Sequence, residues 1–426
     1  MPTTPPDSPI RRVTVLGLGR FGGGLGVARW WLDRGAEVLV TDLADRDELA
    51  DAVSVLDVHA HRDRLQWRLG EHRIEDFSET DLVVANPAVP RPWNNDCLQA
   101  AWRAGVPVTT EIAILVSQLD RSRVIGITGT AGKSTTAAMT HHILRSCDVA
   151  SVLGGNIGGS LLTTIDEVRA ADAVVLELSS AMLWWLGATD DAPPGAPRWS
   201  PGVAVTTNVA PNHLDWHETE SHYRACKSGI AAHQDDSDVH LSQDPGGADV
   251  FLGIPGRHNQ SNARLAIAAA MQLAGVDGPR ARAAAGSFTG LPHRLERIPS
   301  TDDFHYFNDS KSTTPEATLL AIEAMEDPGR VHLIAGGYDK GVSLDPIARR
   351  AGELGGLYTI GATGADLAAG GAARSCGTID VAVRHARSSM RPGDILLLSP
   401  GCASWDQFEH FEARGEAFRR LVTTEV

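Results

Sequence analysis

Three features of this 426-residue chain predict a parallel α/β fold built in successive blocks. Short apolar runs alternate with helical patterns almost from end to end, as strands joined by crossover helices do. Two glycine-rich loops each follow such a run and open a helical pattern, where parallel sheets hold phosphates. The length exceeds what one core fills, so two or three domains are required.

The composition is that of a globular protein, 42% hydrophobic and 21% charged. A formal net charge of −15 with no basic stripe argues against nucleic acid or an anionic membrane as partner. The start, MPTTPPDSP, is a proline-rich flexible tail without the apolar stretch of a secretory signal. No apolar run is long enough to cross a bilayer, so a cytoplasmic protein is expected. Five cysteines, at 97, 147, 226, 376 and 402, are scattered without C-x-x-C spacing. They read as reduced, small buried apolar side chains and not as a disulfide frame or zinc site.

The first block carries VTVLGL, EVLVTD, DLVVANP and VPVTT. The second runs from RVIGITG through DAVVLELSS and GVAVTTN to the alanine-rich helical SNARLAIAAAMQLAG. The third holds FHYFNDS, RVHLIAGG, LYTIGAT and DILLLSPG. Residues 190–202, DDAPPGAPRWSPG, read as a surface loop. Breaks near Thr109 and Gly290 divide the chain into domains 1–109, 110–290 and 291–426.

Each glycine loop suggests a ligand. In the first block Gly17-Leu18-Gly19-x-x-Gly22 follows a strand, and Asp42 closes the next apolar run. That is the dinucleotide fingerprint, yet the chain shows no hydride-transfer machinery, and any pyrophosphate-bearing ligand fits as well. In the second block Gly129-Thr130-Ala131-Gly132-Lys133-Ser134-Thr135-Thr136 is a short variant of the P-loop, with Ile127 where the strict spelling has glycine. Its backbone N–H groups can wrap a phosphate, Lys133 supplies a point charge, and Ser134 offers a hydroxyl to Mg²⁺.

Further stretches follow in order. They are LELSSAML with Ser179 and Glu177, NVAPNHLDW with His213, HYRACKSGI with Lys227, and IPGRHNQSNA with Asn259 and Asn262. GLPHRLE with Arg294, FNDSKSTTP with Asp309 and Lys311, AGGYDKG with Lys340, and SPGCASWDQFEHFEARG complete the series. Together they resemble the Mur ligases of peptidoglycan synthesis over nearly the whole chain. The most specific pieces are GLPHR, NDSK and CASWDQFEHFEARG, the last of which resembles the branch that adds D-glutamate to UDP-N-acetylmuramoyl-L-alanine.

The resemblance implies three domains: a Rossmann-like UDP-binding domain, a P-loop ATPase-like domain and a Rossmann-like acceptor domain. It implies that ATP activates a substrate carboxylate as an acyl phosphate, which an amino acid's amine then attacks, in a monomer. The first loop, with Gly17, Leu18, Gly19, Gly22 and Asp42, would then hold the UDP-sugar, helped by Asn156, Ser179 and His213. The second loop, Thr130 to Thr136, would hold ATP together with Asn259, Asn262, Arg294 and Asp309. Lys133, Glu177, His213, Lys227, Asp309 and Lys311 fall on catalytic positions. Two Mg²⁺ ions would be held by Ser134, Glu177, His213 and Lys227, the last as a carbamate; His213 has the alternative of ordering the NHLD turn, and from the residues alone Lys227 reads as a solvated helix charge. Thr313, Lys340, Ser404, Trp405 and Phe411 fall at the acceptor, although Phe411 is at helical spacing from Phe408 and could be core.

Several positions depart from that pattern. Ala131 stands in place of an asparagine, Ala181-Met182 of Phe-Gln, and Asn86-Pro87-Ala88 of Ser-Pro-Gly. The usual threonine-arginine pair after Asp42 is missing, and Trp405 replaces a smaller apolar residue. Residues 228–257 form a short link between Lys227 and His258, so the central domain is expected to lack some strands. These departures leave open a ligase with another acceptor, such as L-glutamate, or a binder of UDP-sugar and ATP without turnover.

Overall fold

The computed structural model describes residues 10–19, 22–210 and 212–423. The proline-rich start lies outside them, as do Arg20 and Phe21 of the first glycine loop and Pro211 of the NVAPNHLDW motif. The chain divides into two compact units, one of residues 1–247 and 262–284, the other of residues 248–261 and 285–426.

The first unit contains two parallel sheets. In the first sheet β1 (Arg12–Leu16), β2 (Glu37–Asp42), β3 (Leu65–Leu69), β4 (Leu82–Ala85) and β5 (Val108–Thr109) lie in the order β3-β2-β1-β4-β5. Strand order reverses between β1 and β4, which opens a crevice at their carboxyl ends. Gly17 leaves β1 there, and Asn86 leaves β4.

In the second sheet β6 (Val124–Thr128), β7 (Ser151–Gly155), β8 (Ala173–Glu177), β9 (Val203–Thr206) and β10 (Val239–Leu241) lie in the order β10-β9-β6-β8-β7. The central strand β6 is buried throughout, as its VIGIT sequence requires of a strand covered on both faces. No strand occurs between β10 and the helix His258–Ala274, consistent with the short link. Leu18, Val27 and Val40 share one apolar core with Ile112, Leu161 and Leu176, so the two sheets of this unit pack as one body.

In the second unit β11 (Glu296–Ile298), β12 (His305–Asn308), β13 (Val331–Gly336), β14 (Gly356–Ile360), β15 (Arg374–Gly377) and β16 (Ile395–Leu398) form one sheet. Its order is β11-β12-β16-β13-β14-β15, with β11 antiparallel and the others parallel. Strands β12, β16 and β13 are adjacent and parallel, so the loops after them share one rim.

Every apolar run named from the sequence is a strand. The five strands not anticipated are β3, β7, β10, β11 and β15. All five lie at the edge of a sheet, where one neighbour is missing and alternation or polarity blurs the apolar signal. Residues 190–202 form a loop without helix or strand. All five cysteines are unpaired, four of them buried. Among the described residues no helix is long and apolar enough to cross a membrane.

Candidate active site

The glycine loop after β1 is built around Asp42. Its Oδ2 accepts the Leu18 N–H at 2.8 Å and its Oδ1 accepts the Ala44 N–H at 2.9 Å, so the carboxylate braces the loop. Gly19 has φ 68°, and a Cβ there would sit 2.6 Å from the Asn86 amide nitrogen. Glycine is therefore needed both for the turn and for the close approach of β4's loop. Asn86 also caps its own turn, its Oδ1 accepting the Ala88 N–H at 2.9 Å.

The second loop sits at the carboxyl end of β6, between the ends of β8 and β9. Its backbone is held from the β9 side. Thr130 N–H donates to Asn208 O at 2.8 Å, and Ala131 N–H to Asn208 Oδ1 at 3.0 Å. Thr207 Oγ1 and Asn208 Nδ2 both donate to Ala131 O, at 2.6 and 2.9 Å. Thr130 Oγ1 meets Tyr223 OH at 2.8 Å. The helix Lys133–Ser146 starts on Gly132 at φ 82° with no side-chain cap. Its first N–H groups and positive dipole end thus face the loop, as an anion site requires. A Cβ on Gly132 would lie 2.5 Å from Asn262 Oδ1, so Asn262 packs on this loop. Lys133 Nζ donates to Thr130 O at 2.9 Å, curled over the loop.

Beside the loop is a buried group of opposite charges. Glu177 ends β8 and is 2% exposed. Its Oε1 accepts from Asn156 Nδ2 at 3.0 Å, while its buried Oε2 has no hydrogen-bond partner. Such an orphaned carboxylate oxygen is costly unless a cation completes it. Mg²⁺, a hard ion that takes carboxylate and hydroxyl oxygens, fits that donor together with the hydroxyl of Ser134 in the first turn of the P-loop helix.

Lys227, on the helix Glu220–Ser228, is not solvated. It is 2% exposed and donates from Nζ to Thr128 Oγ1 at 3.0 Å. Burial pushes its ammonium from 10.5 to about 7, and the charge of Lys133 pushes the same way against the carboxylate of Glu177. Thr128 in turn donates to Leu178 O at 2.7 Å. His213 starts the short helix Leu214–His217 in a left-handed conformation, φ 52°, and is exposed. Ser179 caps the helix Ser180–Trp185, its Oγ accepting the Met182 N–H at 3.1 Å.

In the second unit Asp309 lies just past β12, 5% exposed. Its Oδ2 accepts from Ser312 Oγ at 2.6 Å and Ser399 Oγ at 2.8 Å, and its Oδ1 from Leu295 N–H at 3.1 Å. Burial raises its carboxyl to about 6, opposed by these bonds and by Arg294. Arg294 itself is exposed, within a GLPHRLE turn where His293 and Leu295 have φ 61° and 41°. Non-glycine residues in that region carry strain that packing must hold. Asn259 belongs to this unit, whereas Asn262, three residues on, belongs to the first.

The rim above β12, β16 and β13 carries the remaining residues. Thr313 follows β12, Ser404 follows β16, and Lys340 follows β13. Tyr338 N–H donates to Ala403 O at 3.0 Å, which ties two of the three loops together. Ser404 is buried, whereas Lys340 and Trp405 are exposed, with Lys340 Nζ 5.3 Å from the Trp405 ring and Tyr338 edge-on to it at 5.4 Å. Phe408 packs against the core of this sheet. Phe411 instead lies against His293 at 6.0 Å, with Lys311 Nζ 5.5 Å from its ring.

Sequence reading passed over three residues. Asn208 and Thr128 hold the P-loop and Lys227, and their positions at strand ends beside a glycine loop were the available signal. Arg414, buried in the FEARG motif, donates to the carbonyls of Ala403, Cys402 and Ser310 and to Ser310 Oγ at 2.9–3.1 Å. It pins the loop after β12 to the loop after β16.

Residues 127–245 match the model of the Mur ligase middle domain, and residues 293–402 that of the Mur ligase glutamate ligase domain. The UDP-N-acetylmuramoylalanine–D-glutamate ligase of Roseiflexus sp. (strain RS-1) is 35% identical, covering 97% of this chain and 98% of its own. Ligases of the same name from Pelotomaculum thermopropionicum and Anaeromyxobacter dehalogenans are 32% and 34% identical, with 98% and 99% of each chain covered. Among solved structures, the UDP-N-acetylmuramate-alanine ligase MurC of Thermotoga maritima has a TM-score of 0.54 at 17% identity, covering 96% of this chain and 98% of that one. The MurF ligase of the same organism in complex with ADP has a TM-score of 0.51 at 15% identity, covering 97% and 96%. These two share the fold, the three-domain Mur ligase architecture, and the full-length identity to the named relatives fixes the family: the chain belongs to the Mur ligases, in the group of the UDP-N-acetylmuramoylalanine–D-glutamate ligases.

Proposed function

We propose that this chain is an ATP-dependent amide ligase that joins D-glutamate to UDP-N-acetylmuramoyl-L-alanine in cytoplasmic peptidoglycan precursor synthesis. The observation that carries the catalytic reading is the group of Lys133, Glu177 and Lys227 beside the P-loop, with one buried carboxylate oxygen lacking a partner. A protein that only bound nucleotide would have no use for such a costly arrangement.

In this reading the chain acts as a monomer, and its work is divided among domains 1–109, 110–290 and 291–426. The loop of Gly17, Leu18, Gly19 and Gly22 receives the UDP-sugar pyrophosphate, with Asp42 bracing the loop and Asn156, Ser179 and His213 nearer the muramoyl end. The loop from Thr130 to Thr136 cradles the ATP phosphates, with Asn259, Asn262, Arg294 and Asp309 as further nucleotide contacts. Two Mg²⁺ ions, when bound to Ser134, Glu177, His213 and a carbamylated Lys227, neutralise phosphate charge. Lys133 stabilises charge on the transferring γ-phosphoryl group, which moves to the alanyl carboxylate to give an acyl phosphate and ADP. Lys311 adds a further cation. The amine of glutamate then attacks the acyl carbon, and phosphate leaves.

The acceptor brings two carboxylates, so its site needs a fixed cation and neutral donors. Lys340, Thr313 and Ser404, on loops of three adjacent parallel strands, suit that need, with Trp405 and Phe411 as walls. A hydrogen bond to a charged group contributes roughly 1.5–3 kcal/mol. Lys340→Ala is therefore expected to raise the Michaelis constant for glutamate about 10- to 100-fold while changing that for ATP little. Initial rates of phosphate release at saturating ATP and UDP-N-acetylmuramoyl-L-alanine measure this, and an unchanged glutamate constant would remove Lys340 from the site.

The reaction itself is tested by phosphate release from ATP with both substrates, each alone, and a panel of D- and L-amino acids. Release should depend on both UDP-N-acetylmuramoyl-L-alanine and D-glutamate. Faster use of L-glutamate would move the assignment to a sister ligase with another acceptor. Release indifferent to the amino acid would reject ligation.

A further inference from the structure

We propose that His217, His222 and Cys226, joined by Asp191, form a site for a borderline-soft divalent cation of the zinc class, separate from the P-loop group. One donor atom from each of His217, His222 and Cys226 lies within 4.8 Å of the others. His222 and Cys226 stand four residues apart on one helix, so both project from the same face. His217 ends the preceding short helix and meets them from the other side. His222 Nε2 lies 3.6 Å from Cys226 Sγ and 3.3 Å from the exposed carboxylate of Asp191.

Those two spacings suit a tetrahedron. Zinc bonds of about 2.0–2.3 Å to nitrogen, oxygen and sulfur imply donor–donor edges of roughly 3.3–3.6 Å. His217 Nδ1 lies 3.1 Å from His222 Nδ1, the ring nitrogen other than the Nε2 that faces Cys226 and Asp191, so joining the same ion requires that pair to part and His217 to shift on the order of 1 Å toward Nε2. The donor chemistry excludes the hard ions. Two imidazoles and a thiolate select zinc or cobalt, whereas Mg²⁺ takes oxygen.

The surroundings also resemble the outer shell of a metal site. His217 Nε2 is bonded to Ser180 Oγ at 2.8 Å, which leaves Nδ1 as the nitrogen facing the cluster. Trp216 lies 4.4 Å from the His217 ring and Trp93 lies 5.0 Å from the His222 ring, giving an apolar wall. On binding, the Cys226 thiol gives its proton to solvent and both imidazoles bind as neutral rings. The cysteine that composition alone reads as a small buried apolar side chain thus acquires a ligand role.

The ion would tie together the Asp191 loop, the His213–His217 turn and the helix Glu220–Ser228. Cys226 is the neighbour of Lys227 on that helix, so the site would fix the helix from which Lys227 reaches Thr128.

The test uses the full chain, stripped with a chelator and titrated with Co²⁺ in excess Mg²⁺. One equivalent should produce a thiolate-to-cobalt charge-transfer band with the visible absorption of tetrahedral cobalt, and Zn²⁺ should abolish both. Cys226→Ser should lose the charge-transfer band. His222→Gln and the surface change Asp191→Asn should each weaken Co²⁺ binding about tenfold or more, with near-ultraviolet circular dichroism showing that the apo fold is kept. Should Cys226→Ser not fold, Asp191→Asn carries the test alone. Absence of the band in the wild-type chain, its persistence in Cys226→Ser, or unchanged affinity in Asp191→Asn would each overturn the proposal.

Discussion

Replacing Lys133 with alanine is expected to abolish amide-bond formation while leaving UDP-N-acetylmuramoyl-L-alanine binding nearly intact. The two glycine loops belong to different sheets, one after β1 and one after β6, and on the proposed reading they serve different ligands. Transfer of a phosphoryl group between two anions depends on cations placed where charge develops. Lys133 rests on Thr130 O, a neutral acceptor it can leave when a phosphate enters. Losing that cation costs a few kcal/mol of transition-state stabilisation, about 10²-fold or more in rate. Turnover assays paired with calorimetric titration of the UDP substrate separate the two effects. Near-normal turnover in the variant would detach the second loop from the chemistry.

Lys227→Ala should remove most activity and regain part of it when formate or acetate is added. An ammonium at this place would repel divalent cations, whereas a carbamate supports them. Carbamylation needs a neutral amine, whose nitrogen attacks CO₂ and then gives up a proton. Burial and Lys133, by bringing the ammonium to about 7, supply that amine near neutral pH. Activity should therefore fall as pH drops through about 7, where the amine protonates, and dissolved bicarbonate should oppose the fall. The stability consequence has a defined sign. The folded chain holds this proton less tightly than the unfolded chain, at about 7 against 10.5, so in CO₂-free buffer this group's contribution rises with pH across that window. Urea midpoints of wild type and Lys227→Ala should diverge in that window. A fully active Lys227→Ala variant, or one that small carboxylates fail to rescue, would reject the carbamate.

How the sequence announced the site differs from residue to residue. Gly132-Lys133-Ser134 is local: one strand, one turn and one helix start fix its geometry, so a short stretch suffices to read it. The strands of the core were equally legible, because burial on both faces forces an unbroken apolar run such as VIGIT. The edge strands β3, β7, β10, β11 and β15 were not, since a half-exposed edge places no such demand on composition.

Lys227 shows the opposite case. Its helix is polar, and nothing local distinguishes it from a solvated charge. Only the packing of that helix beside β6 makes it one of the most deeply buried polar side chains, against Thr128, 99 positions earlier. Phe411 likewise has the spacing of a core residue, yet the core takes Phe408 and leaves Phe411 beside Lys311.

By itself, then, the sequence determined the α/β class, the two glycine-rich loops at strand ends and the order of the motifs, all properties of contiguous residues governed by backbone periodicity and turn chemistry. The tertiary structure alone decided which distant side chains meet, which carboxylate oxygen is left without a partner, and which lysine loses its water. Those depend on desolvation and on neighbours contributed by other strands, and no local pattern encodes either.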